Sequence, residues 1–366
     1  MNTSSLWELG KELGLNLKRS KNKCPECHHP ALSIEEAYCR CWWCGWRGDR
    51  VEFLVRLGGL SRAEALEYSG VGQEVRERSA LYSQVLEWCS EYQEQSTEYL
   101  KQRGIDPECY PHGYCPPKLL EQRLTKVTLK RWGLASEKGY PLLDGRVIFP
   151  VYDLRARLMH FQGRALDPED ELRWLSTTGS RPISDYLFNG QRWAEGQKVP
   201  VLFICEGITD TLSLASLGLA TVGSFGIYPN FASWMSCLRA AEHVVLCYDG
   251  DRHPLGHPRQ KQYISWPSVL ENWSYVYKDL AAPAYALRLP PEYKDINEWL
   301  IENGNPEVLQ RYLVEAPTVE EFVVEAGSLE AQVRILSAGK HPQQTQRWQE
   351  AHAKDWWKLM EELAWH

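Results

Sequence analysis

The chain has 366 residues, of which 43% are hydrophobic and 24% are charged, and its formal net charge is −7. These values predict an ordinary globular protein of about two or three domains, and no run reaches the roughly 18 apolar residues that a membrane span needs. The N-terminus lacks the charged and apolar regions of a secretory signal, so we expect a cytoplasmic protein. In that compartment, an odd number of cysteines, 11, favours thiols and metal over a disulfide framework.

Four segments are predicted along the chain. The first contains paired cysteines, the second is a mixed α+β segment with an excess of basic residues, the third alternates strands with helices, and the fourth is polar and helical. The alternation in the third segment is typical of a doubly wound parallel sheet, so we expect an α/β fold. The segments span residues 1–70, 78–197, 198–303 and 304–366.

The pattern of apolar residues predicts individual elements in each segment. The first segment should contain a helix near Val51–Leu57, and residues 78–103 of the second should form one helix with Leu81, Val85 and Tyr92 on its apolar stripe. Two strands, 146–152 and 157–162, are expected to form a hairpin around Asp153-Leu-Arg155. In the third segment the predicted strands are 201–205, 220–222, 243–248 and 284–289, and the predicted helices are 209–217, 231–240 and 260–272.

Two of these strands end in carboxylates. Val201–Cys205 is followed by Glu206, and Val244–Tyr248 is followed by Asp249 and Asp251. Because the carboxyl ends of parallel strands face the crevice where open α/β sheets bind ligands, we expect these side chains to converge. Three carboxylates would repel one another unless a hard cation joined them, and Mg²⁺ prefers oxygen ligands and bridges to substrate phosphates. The sequence therefore predicts a magnesium site for phosphate chemistry.

The first segment contains two Cys-x-x-Cys pairs separated by a short stretch of chain. This spacing is typical of a closed, four-thiolate, structural zinc site. His28 could replace the second cysteine of the first pair, and Cys39 lies near enough to compete, but Cys27 repeats the geometry of the second pair. The predicted zinc ligands are Cys24, Cys27, Cys41 and Cys44.

The order of these motifs resembles the bacterial-type DNA primases of the DnaG class, over roughly residues 20–300. Two stretches resemble that family's zinc-binding domain, one resembles the start of its polymerase domain, and three resemble its basic subdomain. Four more resemble the TOPRIM fold that these primases share with topoisomerases. In the same order, the stretches are Cys24–Pro30, Cys41–Phe53, Tyr99–Ile105, Gly145–Pro150, Gln162–Arg164, Arg173–Thr177, Cys205–Asp210, Gly223–Gly226, Cys247–Arg252 and Lys294–Asn297.

The resemblance implies roles for individual residues. Glu206, Asp249 and Asp251 match the family's catalytic residues and, together with Asp295, its ligands for Mg²⁺ or Mn²⁺. A second role for Asp295 stays open, because Asp295-Ile-Asn-Glu298 also fits a helix capping box. We expect Asp210 chiefly to favour the N-terminal dipole of a helix. The basic residues that the resemblance implies for nucleotide or template are Arg103, Arg164 and Arg173.

The function implied by the resemblance is synthesis of short RNA primers on single-stranded DNA from nucleoside triphosphates. A replicative helicase is the implied protein partner. Two other functions stay open, a TOPRIM-type metal-dependent nuclease and a non-catalytic DNA-binding or helicase-loading module of a mobile element. The chain departs from the family pattern in the insertion His253–Pro258 and in Arg181, which stands near an expected lysine. Its short tail indicates a phage, plasmid or other mobile-element version.

Overall fold

The computed structural model describes residues 5–328 except 19, 36–37, 63, 66–70, 180, 194–197, 252–262, 291, 304–308, 310 and 314, and beyond 328 only residues 331 and 335. The insertion at 253–258 and most of the predicted helical tail therefore lie outside the described residues. Within the described ranges, no helix combines the length and the apolar character needed to cross a membrane.

The cysteine-rich segment is built on a three-stranded antiparallel sheet with a helix on either side of it in sequence. Ser5 caps the first helix through a capping box, and the Asp49 side chain caps the second by accepting a hydrogen bond from the Glu52 N–H. Apolar residues of both helices pack with the strands in one small core. The elements are α1 (Leu6–Glu12), β1 (Leu32–Ile34), β2 (Cys39–Cys41), β3 (Arg47–Gly48) and α2 (Arg50–Arg56).

The second segment is built on a four-stranded antiparallel sheet. Its elements are α3 (Val71–Ser90), α4 (Gln93–Gln102), β4 (Gly113–Cys115), α5 (Leu119–Arg123), α6 (Lys126–Arg131), β5 (Arg146–Tyr152), β6 (Leu158–Ala165) and β7 (Trp174–Ser176). The strands lie in the order β4-β5-β6-β7. The predicted hairpin is confirmed, because β5 and β6 pair in antiparallel register, and the Asp153 side chain accepts hydrogen bonds from the N–H groups of Arg155 and Arg157 in the turn.

The prediction of a single helix over 78–103 was wrong, because the chain turns between α3 and α4. The Ser90 hydroxyl donates to the Leu86 carbonyl one turn earlier, and the Tyr92 N–H bonds to the Cys89 carbonyl three residues back. Such bonds compete with the regular helical pattern and let the helix end. Tyr92 is consequently exposed, and the buried stripe of α3 runs through Tyr82, Val85 and Cys89 instead.

The third segment is built on a four-stranded parallel sheet. Its elements are β8 (Val199–Cys205), α7 (Ile208–Ser216), β9 (Thr221–Gly223), a 3-10 turn (Phe231–Trp234), α8 (Met235–Leu238), β10 (Ala241–Cys247), α9 (Trp266–Tyr277), β11 (Ala284–Ala286), α10 (Ile296–Asn303) and α11 (Val319–Ala326). The strands lie in the order β11-β10-β8-β9, so the prediction of a doubly wound α/β fold is confirmed. Helices cover both faces of the sheet: α8, α9 and α11 pack in one core, and α7 and α10 pack in the other.

Asp185 joins the first three segments. Its carboxylate lies 3.6 Å from the Arg47 guanidinium of the cysteine-rich segment and 3.6 Å from that of Arg181. It also accepts a hydrogen bond of 2.9 Å from the Asn230 side chain, which follows β9. Arg181 in turn lies 3.9 Å from Asp49, the cap of α2. Arg181, the residue near the expected lysine, thus takes part in contacts between segments.

Candidate metal centres and active site

Four cysteine sulfurs meet in the N-terminal segment. The Sγ atoms of Cys24 and Cys44 are 3.7 Å apart, as are those of Cys27 and Cys41, and all four lie within 4.8 Å of one another. A tetrahedral zinc ion with bonds of about 2.3 Å would place its sulfur ligands roughly 3.8 Å apart. The cluster therefore fits zinc without rearrangement.

The two competing zinc ligands lie outside this cluster. Cys39 is buried, and its thiol donates to the Gly48 carbonyl at 3.3 Å. Burial raises the pKa of Cys39 to about 12, so this residue stays a neutral thiol that packs in the core. His28 is exposed and has a left-handed backbone, with φ of 60°.

The carboxylates lie at the point where the order of the parallel sheet reverses. Chain order runs from β8 outward to β9 on one side and to β10 on the other, so the crevice between β8 and β10 is a topological switch point. Cys205 and Cys247 are paired at the ends of these strands, which brings Glu206 next to the loop that carries Asp249 and Asp251. Ligands of open α/β sheets bind at such points.

Burial and the closeness of like charges raise the pKa values of two of these carboxylates. Burial, reinforced by the nearby charges of Asp249 and Asp251, raises the pKa of Glu206 to about 7. Burial also raises the pKa of Asp249 to about 6, even though the ammonium of Lys294, 3.4 Å from Asp249 Oδ2, opposes that shift. The site thus disfavours its own negative charge, which is the condition under which a cation binds well.

Two carboxylate oxygens fit a hard cation particularly well. Glu206 Oε2 and Asp251 Oδ1 are buried, and neither has a hydrogen-bond partner within the described part of the chain. Buried charged oxygens normally have a partner, so these two are suited to coordinate a metal ion. The carboxylates are less tightly gathered than the cysteines, the only group of the described residues with all its ligand atoms within 4.8 Å. A looser set suits Mg²⁺, which keeps several waters and shares its ligands with substrate phosphates.

Asp295 starts α10, and its side chain accepts a hydrogen bond of 2.8 Å from the Glu298 N–H. The capping role that the sequence left open is therefore present. The Glu298 carboxylate reaches back to the N–H of Lys294 rather than that of Asp295, so the capping box is shifted by one residue. Asp295 still adds to the charge of the site, because its carboxylate raises the pKa of Asp210.

Sequence reasoning gave too little weight to Asp210. Its carboxylate is buried beside the site, where burial and then the charges of Asp295, Asp249 and Glu206 raise its pKa well above the ordinary value. One oxygen accepts a hydrogen bond of 3.2 Å from the Asn297 N–H, at the start of α10. The available signal was the spacing, because a residue four positions after Glu206 lies one helical turn beyond the strand tip.

Asn297 ties the carboxylates to the first of the predicted arginines. Its side-chain amide donates to the Arg103 carbonyl at 2.8 Å and to the Ser213 hydroxyl at 2.7 Å. The Arg103 guanidinium donates to the Asn297 side-chain oxygen at 3.4 Å. Arg103, at the end of α4, is thereby held against the start of α10.

The three predicted arginines lie close enough together to influence one another. Burial lowers the pKa of Arg164, and the neighbouring charges of Arg103 and Arg173 lower it further, although Tyr99 opposes this. The Nε atom of Arg164 is buried without a hydrogen-bond partner among the described residues. Its guanidinium lies over the Trp174 ring, 5.4 Å from the centroid. Mutually repelling arginines with a free donor form a surface suited to an anion.

Tyr99 lies beside the first predicted arginine, with the Arg103 guanidinium 5.8 Å from its ring centroid. Burial raises the pKa of Tyr99, the charges of Arg103 and Arg164 act to lower it, and that of Asp210 acts to raise it. Arg103 also donates to the Asn297 side chain, and the Asn297 N–H donates to Asp210. The basic and acidic clusters therefore adjoin one another at one edge of the parallel sheet.

Comparisons with known proteins agree with this arrangement. The family model described as "DNA primase catalytic core, N-terminal domain" matches residues 82–183. The DNA primase of Thermotoga maritima is 27% identical over 335 residues, which cover 82% of this chain and 56% of that protein. The DNA primase of Escherichia coli K12 is 26% identical over 277 residues, which cover 61% of this chain and 46% of that protein.

This chain is similar in sequence to the bacterial DNA primases of the DnaG class. It spans about half the length of the curated primases that it matches. The recognition of the family from the strand-end and cysteine motifs is thus confirmed, whereas a mobile-element origin stays a prediction.

Solved structures show the same fold as the DnaG-like chain. A DnaG primase catalytic domain bound to single-stranded DNA matches with a TM-score of 0.58 and 20% identity, covering 69% of this chain and 83% of that chain. The Aquifex aeolicus primase, with its zinc-binding and RNA polymerase domains, matches with a TM-score of 0.54 and 22% identity, covering 98% of this chain and 96% of that chain. The second match includes the cysteine-rich segment as well as both larger sheets.

Proposed function

We propose that the chain synthesises short RNA primers on single-stranded DNA from nucleoside triphosphates, by metal-dependent nucleotidyl transfer. The observation that carries this proposal is the meeting of a buried carboxylate cluster, with unpartnered oxygens on Glu206 and Asp251, and an adjoining cluster of arginines. Phosphoryl transfer depends mainly on positioning and on neutralising charge. A site that combines hard metal ligands with guanidinium groups meets both needs.

Glu206, Asp249 and Asp251 are the proposed catalytic residues and the proposed ligands of Mg²⁺ or Mn²⁺. A bound divalent ion would neutralise the triphosphate and favour attack by a 3′-hydroxyl. Glu206, with a pKa of about 7, is suited to accept the proton of that hydroxyl. Asp295 is proposed as a further ligand, and Asp210 as a buried charge that strengthens the field at the cation.

Arg103, Arg164 and Arg173 are the proposed contacts for template and nucleotide phosphates. The free Nε donor of Arg164 supports this role, because a buried donor atom normally has a hydrogen-bond partner. Positive charge beside the carboxylates is also required if two polyanions are to approach them. The template would then run between the antiparallel sheet and the carboxyl edge of the parallel sheet.

A structural zinc ion is proposed for Cys24, Cys27, Cys41 and Cys44, because the four sulfurs already have the spacing of tetrahedral ligands. The proposed domain limits are those predicted from the sequence, 1–70, 78–197, 198–303 and 304–366. A replicative helicase partner and a cytoplasmic location stay predictions.

One incubation tests the proposal against its alternatives. Purified protein, Mg²⁺ or Mn²⁺, end-labelled single-stranded DNA and labelled ribonucleoside triphosphates are combined, and the products are separated by length. We expect alkali-labile oligoribonucleotides that depend on the template. Shortened DNA without new RNA would indicate a TOPRIM-type nuclease. Bound but unchanged DNA without RNA would indicate a binding or helicase-loading module.

A further inference from the structure

Lys294 is an exposed cation beside the carboxylate cluster. Its ammonium lies 3.4 Å from Asp249 Oδ2, and its side chain is 60% exposed whereas that of Asp249 is 14% exposed. Among the salt bridges of the described residues, this is the one that joins a cation to the cluster. The lysine therefore partly neutralises a site in which burial and like charges otherwise disfavour ionised carboxylates.

The backbone of Lys294 is fixed although its side chain reaches into solvent. Its carbonyl accepts a hydrogen bond of 2.8 Å from the Gly250 N–H, between the two aspartates of the β10 loop. Its own N–H donates to the Glu298 carboxylate at 2.8 Å. A lysine side chain has a flexible four-carbon stem, so the ammonium of Lys294 can move by several ångströms while its backbone and the loop stay in place.

Lys294 and a divalent cation would compete for Asp249. A magnesium ion lies about 2.0–2.1 Å from each of its oxygen ligands, so an ammonium held at its present distance would lie close to that ion and be repelled by it. The exposed side of Lys294 is the direction in which its ammonium can leave. An incoming nucleoside triphosphate would approach the carboxylates from that same solvent-exposed side.

We propose that Lys294 is a built-in counterion that leaves Asp249 when a divalent metal binds, and then contacts the triphosphate of the incoming nucleotide. This inference rests on the proposed function for the identity of its second partner. Lysine suits both roles, because its ammonium is a compact charge that pairs with a carboxylate or a phosphate without fixed geometry.

The test compares metal and nucleotide binding by the zinc-loaded protein of 366 residues and by its Lys294→Met variant. Mn²⁺ affinity is measured from the electron paramagnetic resonance signal of the free ion, without nucleotide. Because the lost ion pair is largely exposed, we expect Mn²⁺ to bind roughly two- to fivefold more tightly. Labelled ATP, titrated at saturating Mn²⁺, should bind roughly tenfold more weakly, since a charged contact to phosphate is lost.

Two variants serve as controls. Lys278→Met removes the same charge from an exposed position at the end of α9 and should change neither affinity. Lys294→Arg keeps the charge and should bind Mn²⁺ as the wild type does. An arginine variant that behaves like the methionine variant would overturn the counterion role, because it would show that shape rather than charge matters.

The remaining outcomes also decide the proposal. Unchanged or weaker Mn²⁺ binding by Lys294→Met refutes the counterion role, and tighter Mn²⁺ binding with unchanged ATP binding refutes the transfer to phosphate. Both readouts are independent of RNA synthesis. If the wild type binds Mn²⁺ and ATP but makes no primer, the proposed function fails while the result for Lys294 stands.

Discussion

Replacing Glu206 by glutamine should make the protein more stable while removing its activity. The pKa of this carboxyl rises from 4.5 to about 7 because the folded site disfavours its charge. A folded-state pKa above the unfolded value means that ionisation costs stability at every pH above the folded pKa. At 1.36 kcal/mol per pH unit, the whole shift corresponds to about 3 kcal/mol. Because Asp249 shares that cost, we expect Glu206→Gln to gain about 1–2 kcal/mol at pH 8.

The measurement is thermal unfolding at pH 8 in buffer without added Mg²⁺ or Mn²⁺. For a cooperative unit of about 150–250 residues, this gain raises the unfolding midpoint by roughly 2–8 °C. Glu242→Gln is the matched control, because Glu242 is exposed on β10, away from the strand tip, and its loss removes the same charge. That variant should stay within about 0.5 kcal/mol of the wild type.

Adding Mg²⁺ should reverse the order of stability. The wild type is stabilised by RT ln(1 + c/Kd), where c is the concentration of free Mg²⁺, whereas the glutamine variant has lost a ligand, has a larger Kd and gains less. A Glu206→Gln protein that is less stable than the wild type without metal would refute the reasoning. An equal gain from Mg²⁺ in both proteins would show that Glu206 is not a metal ligand.

Three further predictions concern the zinc site, a buried histidine and the arginine cluster. Cys41→Ser should release zinc, measured by elemental analysis, and unfold the cysteine-rich segment, because the energy of metal binding is folding energy there; retention of one zinc per chain would contradict this. Burial lowers the pKa of His160 to about 4, so the unfolded chain binds more protons at this residue, and His160 alone should contribute a loss of about 2 kcal/mol of stability between pH 7.5 and 5. In urea unfolding, His160→Asn should lack that part of the loss, and an identical pH dependence in both proteins would exclude the effect. Arg164→Ala should reduce the slope of log affinity for single-stranded DNA against log salt by roughly 0.7, whereas Arg155→Ala, in the exposed hairpin turn, should leave it unchanged; equal slopes for the two variants would count against the proposed template contact.

The features that could be predicted from the sequence are those encoded in short, local patterns. Glu206 and Asp249 directly follow apolar runs that read as buried parallel strands. Because the carboxyl ends of parallel strands lie at the same edge of a sheet, the two side chains had to lie at that edge. The cysteine pairs are equally local, since each tight turn brings two sulfurs together. The sequence did not decide whether Cys27 or His28 is the zinc ligand, because both residues lie in that same turn.

The features that could not be predicted depend on contacts between distant parts of the chain. Asp210 carries a local helix signal, and only the approach of α10, through Asn297, shows that it belongs to the carboxylate cluster. Asp185 has no motif around it, yet it joins three segments through partners far away in sequence. The end of α3 likewise coincides with two local hydrogen bonds, of the Ser90 hydroxyl and the Tyr92 N–H, which are too weak a signal to read from composition.

Template-directed RNA synthesis by the wild type and by Asp251→Asn, run side by side with Mg²⁺, tests the central claim most directly. The substitution keeps the size of a side chain that has an unpartnered buried oxygen but removes its charge. We predict that the wild type makes alkali-labile oligoribonucleotides and that the variant makes none, while both bind the single-stranded template with similar affinity. Equal synthesis by the two proteins, or no synthesis by the wild type, would contradict the assignment of this sheet edge as a primase active site.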